Sequence, residues 1–242
     1  MPAILEAENV TVRFGGNVAV DNVSLSVRSG EILGLIGPNG AGKTTLFNAL
    51  TGFVIPTDGR VNFLGKDVTK APPYLRTRMG MGRTFQIDRP FEELTVFENV
   101  LIPAFLGTSR RKDAERSAWN ALDAAGLSDR ALQPAADLNL ARRRRLELAK
   151  ALAVQPKVLF LDETMAGLNP PALAAMIDFV RHLSSTGIAI VMVEHIMKAI
   201  VELCGEVLVL ASGNRIASGT PEAVTSDPEV IEAYLGSVET DG

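Results

Sequence analysis

Gly37-Pro38-Asn39-Gly40-Ala41-Gly42-Lys43-Thr44 carries a glycine, four residues and then Gly-Lys-Thr, the spacing of a loop that wraps phosphate. An apolar run (Ile32, Leu33, Leu35, Ile36) precedes it, and a helix-compatible run, residues 45–50, follows. That context gives the pattern its chemistry. Glycines let the backbone turn several N–H groups onto an anion, and the helix adds the positive end of its dipole. Lys43 is then placed to meet β- and γ-phosphates, and the Thr44 hydroxyl to bind Mg²⁺. The bland alternative is a glycine-rich turn that binds nothing. With both flanks present, the expectation is a nucleoside triphosphate held by residues 37–45, Thr45 included.

Working outward, the residues on the N-terminal side favour strands at 4–14 and 18–27, with partial alternation at Val10, Val12, Phe14 and at Val23, Leu25, Val27. A third strand, 32–36, enters the loop, and a fourth, 60–64, follows the Pro56-Thr57-Asp58-Gly59 turn. The first sixty-odd residues therefore form a β-rich lobe around one strand–loop–helix unit. From 72 to about 138 the texture becomes helical (Leu75, Met79, 96–106, 112–126), with Trp119 and Leu122 on one face. After Arg142 helices alternate with the apolar strands 158–161, 188–193 and 207–210, and 220–235 resembles two short helices with Pro221 in a first turn. Continuous apolar runs mark strands covered on both faces. The expected fold is α/β: a phosphate-loop core whose mixed sheet carries helices on both faces, an N-terminal antiparallel β-lobe, and an inserted helical subdomain. The expected boundaries are 1–86 and 156–219 for the core, 87–155 for the insertion and 220–242 for a helical tail.

Composition bounds the partners. The 242 residues are 47% hydrophobic and 21% charged, with a net charge of −4, so no basic surface for nucleic acid is expected. The first residues lack a basic stretch followed by a long apolar one, and no apolar run reaches the length of a membrane span. The expected compartment is the cytoplasm. The single Cys204 excludes an internal disulfide and a multi-cysteine metal site; a small buried side chain is its expected role.

Residues 157–163 read KVLFLDE, four apolar residues ending in two carboxylates. Ligands of open α/β sheets sit at the carboxyl ends of strands, so Asp162 and Glu163 are expected to face the loop. Asp162 would hold Mg²⁺ and Glu163 would act as general base toward water. In isolation, such a pair is as often a solvated strand end.

GPNGAGKT, Gln86 in GRTFQ, LFLDE, AGLN (166–169) and His195 in VEHIM stand in the order and spacing that resemble ABC-type ATPases across nearly the whole chain. The wording RFGGNVAVDNVSL, NALTGF, RRLELAKAL, AGLNP and GTPEAVTSDPEVIEAYLG is similar to that of ATP-binding subunits of branched-chain amino acid importers. The resemblance implies ATP and Mg²⁺ as cofactors. It implies that Gln86 reaches the metal and the attacking water, that His195 contacts the γ-phosphate and pairs with Glu163, and that Phe14 stacks on adenine. Without it, His195 is an ordinary packed or surface histidine and Phe14 a core strand residue. It further implies membrane permease subunits, a second ATPase chain, indirectly a solute-binding protein, and a place on the cytoplasmic face of the membrane. Phe91, Leu94 and Phe97 would line the groove for a permease helix or pack within the helical subdomain. Lipopolysaccharide-export ATPases are the nearest rival transporter type. A non-transport ABC protein, which usually carries two ATPase cores or long coiled-coil inserts, is a rival of another class, and an ATP-holding module with weak hydrolysis is a third.

The chain departs from the family at its signature. Where LSGGQ is usual, it has Leu138-Asn139-Leu140-Ala141-Arg142. In the family this segment closes over the ATP held by the partner chain, so the alteration bears on the partner's site. Ala141 adds a Cβ where close approach is needed, while Asn139 retains a donor and Arg142 a fork of donors. Residues 142–145 are either a remodelled phosphate contact or a solvated helix start, the latter favoured for Arg143. Thr164 and Ile196 replace the usual Pro after the Glu and the usual Asp after the His.

Overall fold

The computed structural model describes residues 2–85 and 90–235. Ile-Leu-Gly-Leu-Ile of β3 (Ile32–Ile36) is buried throughout, and the molecule is layered around it. The chain enters through β1 (Ala3–Phe14) and β2 (Asn17–Arg28), a long antiparallel pair. After β3 come α1 (Lys43–Thr51), β4 (Asp58–Phe63), β5 (Lys66–Asp67), α2 (Pro73–Arg78) and β6 (Met81–Arg83). The helical part follows as α3 (Val96–Ala104), α4 (Arg111–Ala124) and α5 (Leu140–Leu152). Then β7 (Val158–Asp162), α6 (Pro170–Ser185), β8 (Ala189–Val193), α7 (Met197–Leu203) and β9 (Glu206–Ala211) alternate. The described residues close with β10 (Asn214–Gly219), α8 (Pro221–Thr225) and α9 (Pro228–Leu235).

Among the described residues these strands make two sheets. One is antiparallel, in the order β2-β1-β4-β5; the other runs β10-β9-β3-β8-β7-β6, parallel except for β10 at its edge. The antiparallel lobe and α1 close one apolar cluster over Leu33, Leu35, Phe160 and Val191. The opposite face, with Ile36, Leu161 and Met192, joins α3 to α7 in the second cluster. Full burial of β3, β7 and β8 follows from this sandwiching and explains their non-polar sequence, broken only by Asp162 at the end of β7. Gly34 is required by that packing, since a Cβ there would sit 2.9 Å from Cys204 Sγ. Cys204 is itself buried, as expected, and burial pushes its thiol up to about 12.

Two strands of the large sheet were not expected. β6 returns the chain to the sheet inside the stretch whose texture turns helical; it is three residues long, contains Gly82 and, among the described residues, pairs with β7 alone. β10 is an edge strand, largely exposed, so its sequence carries no apolar alternation. α5 starts two residues before Arg142 because Asn139 caps it, its side-chain oxygen accepting from Arg142 N at 3.0 Å.

Candidate functional site

The loop between β3 and α1 is shaped by glycines that no other residue could replace. Gly37 and Gly42 have φ of 148° and 97°, and a Cβ at either would collide with a carbonyl oxygen, that of Leu210 or of Ala19. Gly40, at φ 75°, faces open space. Lys43 opens α1 and folds back over the loop, donating to Gly37 O at 2.7 Å and Pro38 O at 2.8 Å. Burial lowers its pKa, and the charge of Glu163 opposes that shift.

A cavity of about 600 Å³ opens above this loop. Its wall includes Phe14 from the end of β1, Asn39 to Thr45 from the loop and α1, Glu163, His195, and Ser212 and Gly213 from the β9–β10 turn. Gly37 and Pro38 stand behind the wall as acceptors for Lys43. Phe14 is 54% exposed, so it is no core residue; its ring stands at the cavity's rim. Thr44 is exposed there and Thr45 partly so.

Parallel pairing brings the catalytic candidates together. Asp162 of β7 is in register with Val193 of β8, so the residues just beyond each strand end emerge side by side. Glu163 donates its N–H to Val193 O at 2.9 Å, and its Oε1 lies 2.7 Å from His195 Nε2. With the carboxylate ionised, this contact requires the imidazole proton on Nε2. Glu163 also holds φ at 49°, a left-handed conformation that costs a non-glycine residue about 1 kcal/mol or more and is characteristic of functional turns.

Asp162 is placed differently. The left-handed turn at Glu163 ends the strand and separates the two carboxylates, and Asp162 is absent from the cavity wall. It is buried, its N–H donates to Thr84 Oγ1 at 3.1 Å, and its Oδ2 accepts from Arg83 at 3.3 Å. Desolvation raises its pKa; Arg83 opposes this and Glu163 adds to it. Gln86 lies outside the described residues. Among the described residues no group of three or more His, Cys, Asp or Glu side chains could cage a metal. Thr44 and Asp162 are hard oxygen donors, the set suited to Mg²⁺ that keeps its waters and takes further ligands from phosphates.

Two residues of the site were missed. Arg83 stands within the GRTFQ segment quoted for its glutamine, and only tertiary pairing reveals its contact with Asp162. Glu194, 2% exposed, accepts from Met165 N at 2.9 Å and from the His195 backbone, tying the segment after Glu163 to the one before His195. Burial pushes its pKa up to about 7, against the charge of Arg144 on α5. A carboxylate directly after a buried strand was the signal available.

The arginines that open α5 are mostly committed within the chain. Arg143 donates to Leu138 O and Ala136 O, Arg144 acts on Glu194, and Arg145 donates to Ala125 O and lies over the Phe179 ring. Arg142 has no side-chain partner among the described residues, so of this run it is the free cation. A second cavity, about 220 Å³, lies between β6, α2, α3 and α5, with Phe53, Tyr74, Arg83, Phe85 and Leu106 in its wall. Phe91, Leu94 and Phe97 are not in that wall; Phe97 packs inside the helical part, its ring 4.9 Å from Trp119.

The family model described as ABC transporter matches residues 20–166, and that described as branched-chain amino acid ATP-binding cassette transporter matches residues 214–240. The chain is 39% identical over 249 residues to the high-affinity branched-chain amino acid transport ATP-binding protein LivG of Salmonella typhimurium, covering 96% of this chain and 98% of that one. It is 38% identical over 253 residues, with the same coverage, to the corresponding protein BraF of Pseudomonas aeruginosa. Among solved structures it is similar to a nucleotide-free ATP-binding cassette from an ABC transporter (TM-score 0.88, 32% identity, 96% and 99% of the two chains). It is equally similar to such a cassette in its ADP conformation (TM-score 0.89, 32% identity, 98% and 100%).

Proposed function

Because this chain belongs to the ABC transporter family of ATP-binding cassettes, we propose that it is the ATP-hydrolysing subunit of an importer for branched-chain or other hydrophobic amino acids. The observation that carries this reading is the convergence of the phosphate loop, Glu163, His195 and Phe14 on one cavity of nucleotide size. Phe14 offers its ring to the adenine, and the backbone N–H groups of Asn39 to Thr45 take the phosphates. Lys43 exchanges its two loop carbonyls for β- and γ-phosphate oxygens. Thr44, Asp162 and Gln86 would hold Mg²⁺, which supplies charge neutralisation between the two phosphates when bound. Glu163 accepts the proton of the attacking water, and His195 fixes the carboxylate in place.

Among the described residues no helix is long and apolar enough to cross a membrane. In this reading the chain works against separate permease subunits at the cytoplasmic face, with a solute-binding protein delivering the amino acid. A permease segment seats in the apolar groove between β6, α2, α3 and α5. A second ATPase chain completes the site. The altered segment at Asn139 to Arg142 favours a refinement: the site this segment closes turns over slowly, because Leu140 and Ala141 carry side chains where two glycines would let the backbone approach the phosphate closely.

The test is reconstitution of the chain with its permease subunits in vesicles. Leucine-loaded binding protein is expected to raise both ATP hydrolysis and leucine uptake. If neither responds to any hydrophobic amino acid, the importer assignment is wrong; a response to lipopolysaccharide instead favours the export type.

A further inference from the structure

Arg83, the last residue of β6, sits where two functions of the chain meet. Its side chain is 12% exposed. One terminal nitrogen donates to Asn48 Oδ1 at 2.7 Å and Thr51 Oγ1 at 2.8 Å; the other reaches Asp162 Oδ2 at 3.3 Å. The guanidinium lies over three rings, Phe47 at 4.8 Å, Phe53 at 4.9 Å and Phe85 at 5.1 Å. Phe53 and Phe85 meet edge to face and are both about half exposed in the groove that Arg83 also lines. One cation therefore spans from the groove wall to the carboxylate at the end of β7.

The contacts are unequal. The bonds to Asn48 and Thr51 are short and anchor the guanidinium to α1, whereas the one to Asp162 is longer than a good N–H···O bond. Its Nε is buried with no hydrogen-bond partner. The pairing with Asp162 is thus the part of the arrangement that yields most easily. A guanidinium at this distance also repels a divalent cation from the same carboxylate, and weak local screening makes that repulsion matter.

We propose that Arg83 is a positioning residue that competes with the divalent cation for Asp162 in the unassembled chain, and that Phe53 and Phe85 couple this competition to the groove. The inference rests on the reading of Asp162 as a metal-holding residue. Its mechanical content is that the rings keep the guanidinium seated on Asp162, so whatever packs against those rings sits next to the metal site without touching it.

The probe is Mn²⁺ added to the full chain with ADP, its free concentration followed by electron paramagnetic resonance. Arg83→Gln is expected to tighten Mn²⁺ binding, on the order of 10-fold, the scale of one charge-assisted hydrogen bond. Loss of a merely structural residue would weaken binding, so the direction discriminates. Phe85→Ala is expected to shift binding the same way by a smaller factor, and Arg83→Lys, which keeps the charge without the fork, to fall between parent and Arg83→Gln. Asp162→Asn separates the two levels of the argument. If Asp162→Asn leaves Mn²⁺ binding unchanged, the metal-site reading fails. If Asp162→Asn weakens binding while Arg83→Gln, verified folded by thermal unfolding, leaves it unchanged or weaker, the competition fails alone. If only Phe85→Ala is without effect, the coupling to the groove is overturned. Should Arg83→Gln not fold, Arg83→Lys and Phe85→Ala decide in the same sense.

Discussion

Lys43→Ala tests how the phosphate loop holds its ligand. The ammonium is buried beneath the cavity and already donates to two loop carbonyls at 2.7 and 2.8 Å. A charge-assisted contact to phosphate is worth about 1.5–3 kcal/mol, or roughly 10- to 150-fold in affinity. Nucleotide must draw Lys43 away from carbonyls that satisfy it in the free chain, so the net loss belongs at the low end. The expectation is about 10- to 30-fold weaker Mg-ATP binding by titration calorimetry. The substitution also strips a donor from Gly37 O and Pro38 O, so the free chain should lose about 1–2 kcal/mol of stability as well. Unchanged ATP affinity, with the stability loss present, would refute the exchange and leave Lys43 as a structural tie within its own loop.

Arg76 is the largest of the fully buried side chains among the described residues and donates to the carbonyls of Ala49, Leu50, Thr69 and Ala71, closing the C-terminal end of α1. Burial pulls its pKa down to about 10, so it stays charged at neutral pH. Arg76→Met orphans several of those carbonyls and should cost about 3–5 kcal/mol in urea unfolding; a loss under about 1 kcal/mol contradicts this account. Glu194 keeps its proton in the folded chain to about pH 7, above its ordinary 4.5. Stability should therefore fall as pH rises from the ordinary carboxylate range through 7, by roughly 3 kcal/mol at about 1.4 kcal/mol per unit. Glu194→Gln should flatten that profile, and an unchanged slope would assign it elsewhere. The purified chain alone should be a slow ATPase, since a pair of identical chains places the altered signature over both sites. Asn139→Ser, Leu140→Gly, Ala141→Gly and Arg142→Gln together should raise the rate, by up to some 10²–10³-fold, the scale of one lost transition-state contact; no gain means that Asn139 and Arg142 are competent replacements.

The parts of the fold that could be read from sequence are those where one physical demand dominates a whole segment. β3, β7 and β8 lie between covering layers, so every position but Asp162 at the end of β7 is non-polar, and Gly37 and Gly42 of the loop were dictated by backbone approach. β6 and β10 were not legible because β6 has only three residues and β10 is an exposed edge strand, so neither places such a demand on a whole segment. The start of α5 was less legible because Asn139, a good cap, stands where the family carries its signature loop. At the site, Glu163 was legible from its place after an apolar run and His195 from the family resemblance, and the structure brings them within hydrogen-bond reach. The partner of Asp162 was not legible. Arg83 is 79 residues away and reaches it only because β6 lies beside β7, a neighbour relation that β6's own sequence does not announce.

Glu163→Gln gives the most direct test of the central claim, that this cavity hydrolyses ATP with Glu163 as base. The change keeps shape and hydrogen bonding to His195 while removing the proton acceptor. Calorimetry should show ATP affinity close to that of the parent, and single-turnover hydrolysis in the assembled transporter should fall by about 10²–10⁴-fold. Hydrolysis at the parent rate by a variant that binds ATP normally would contradict the account.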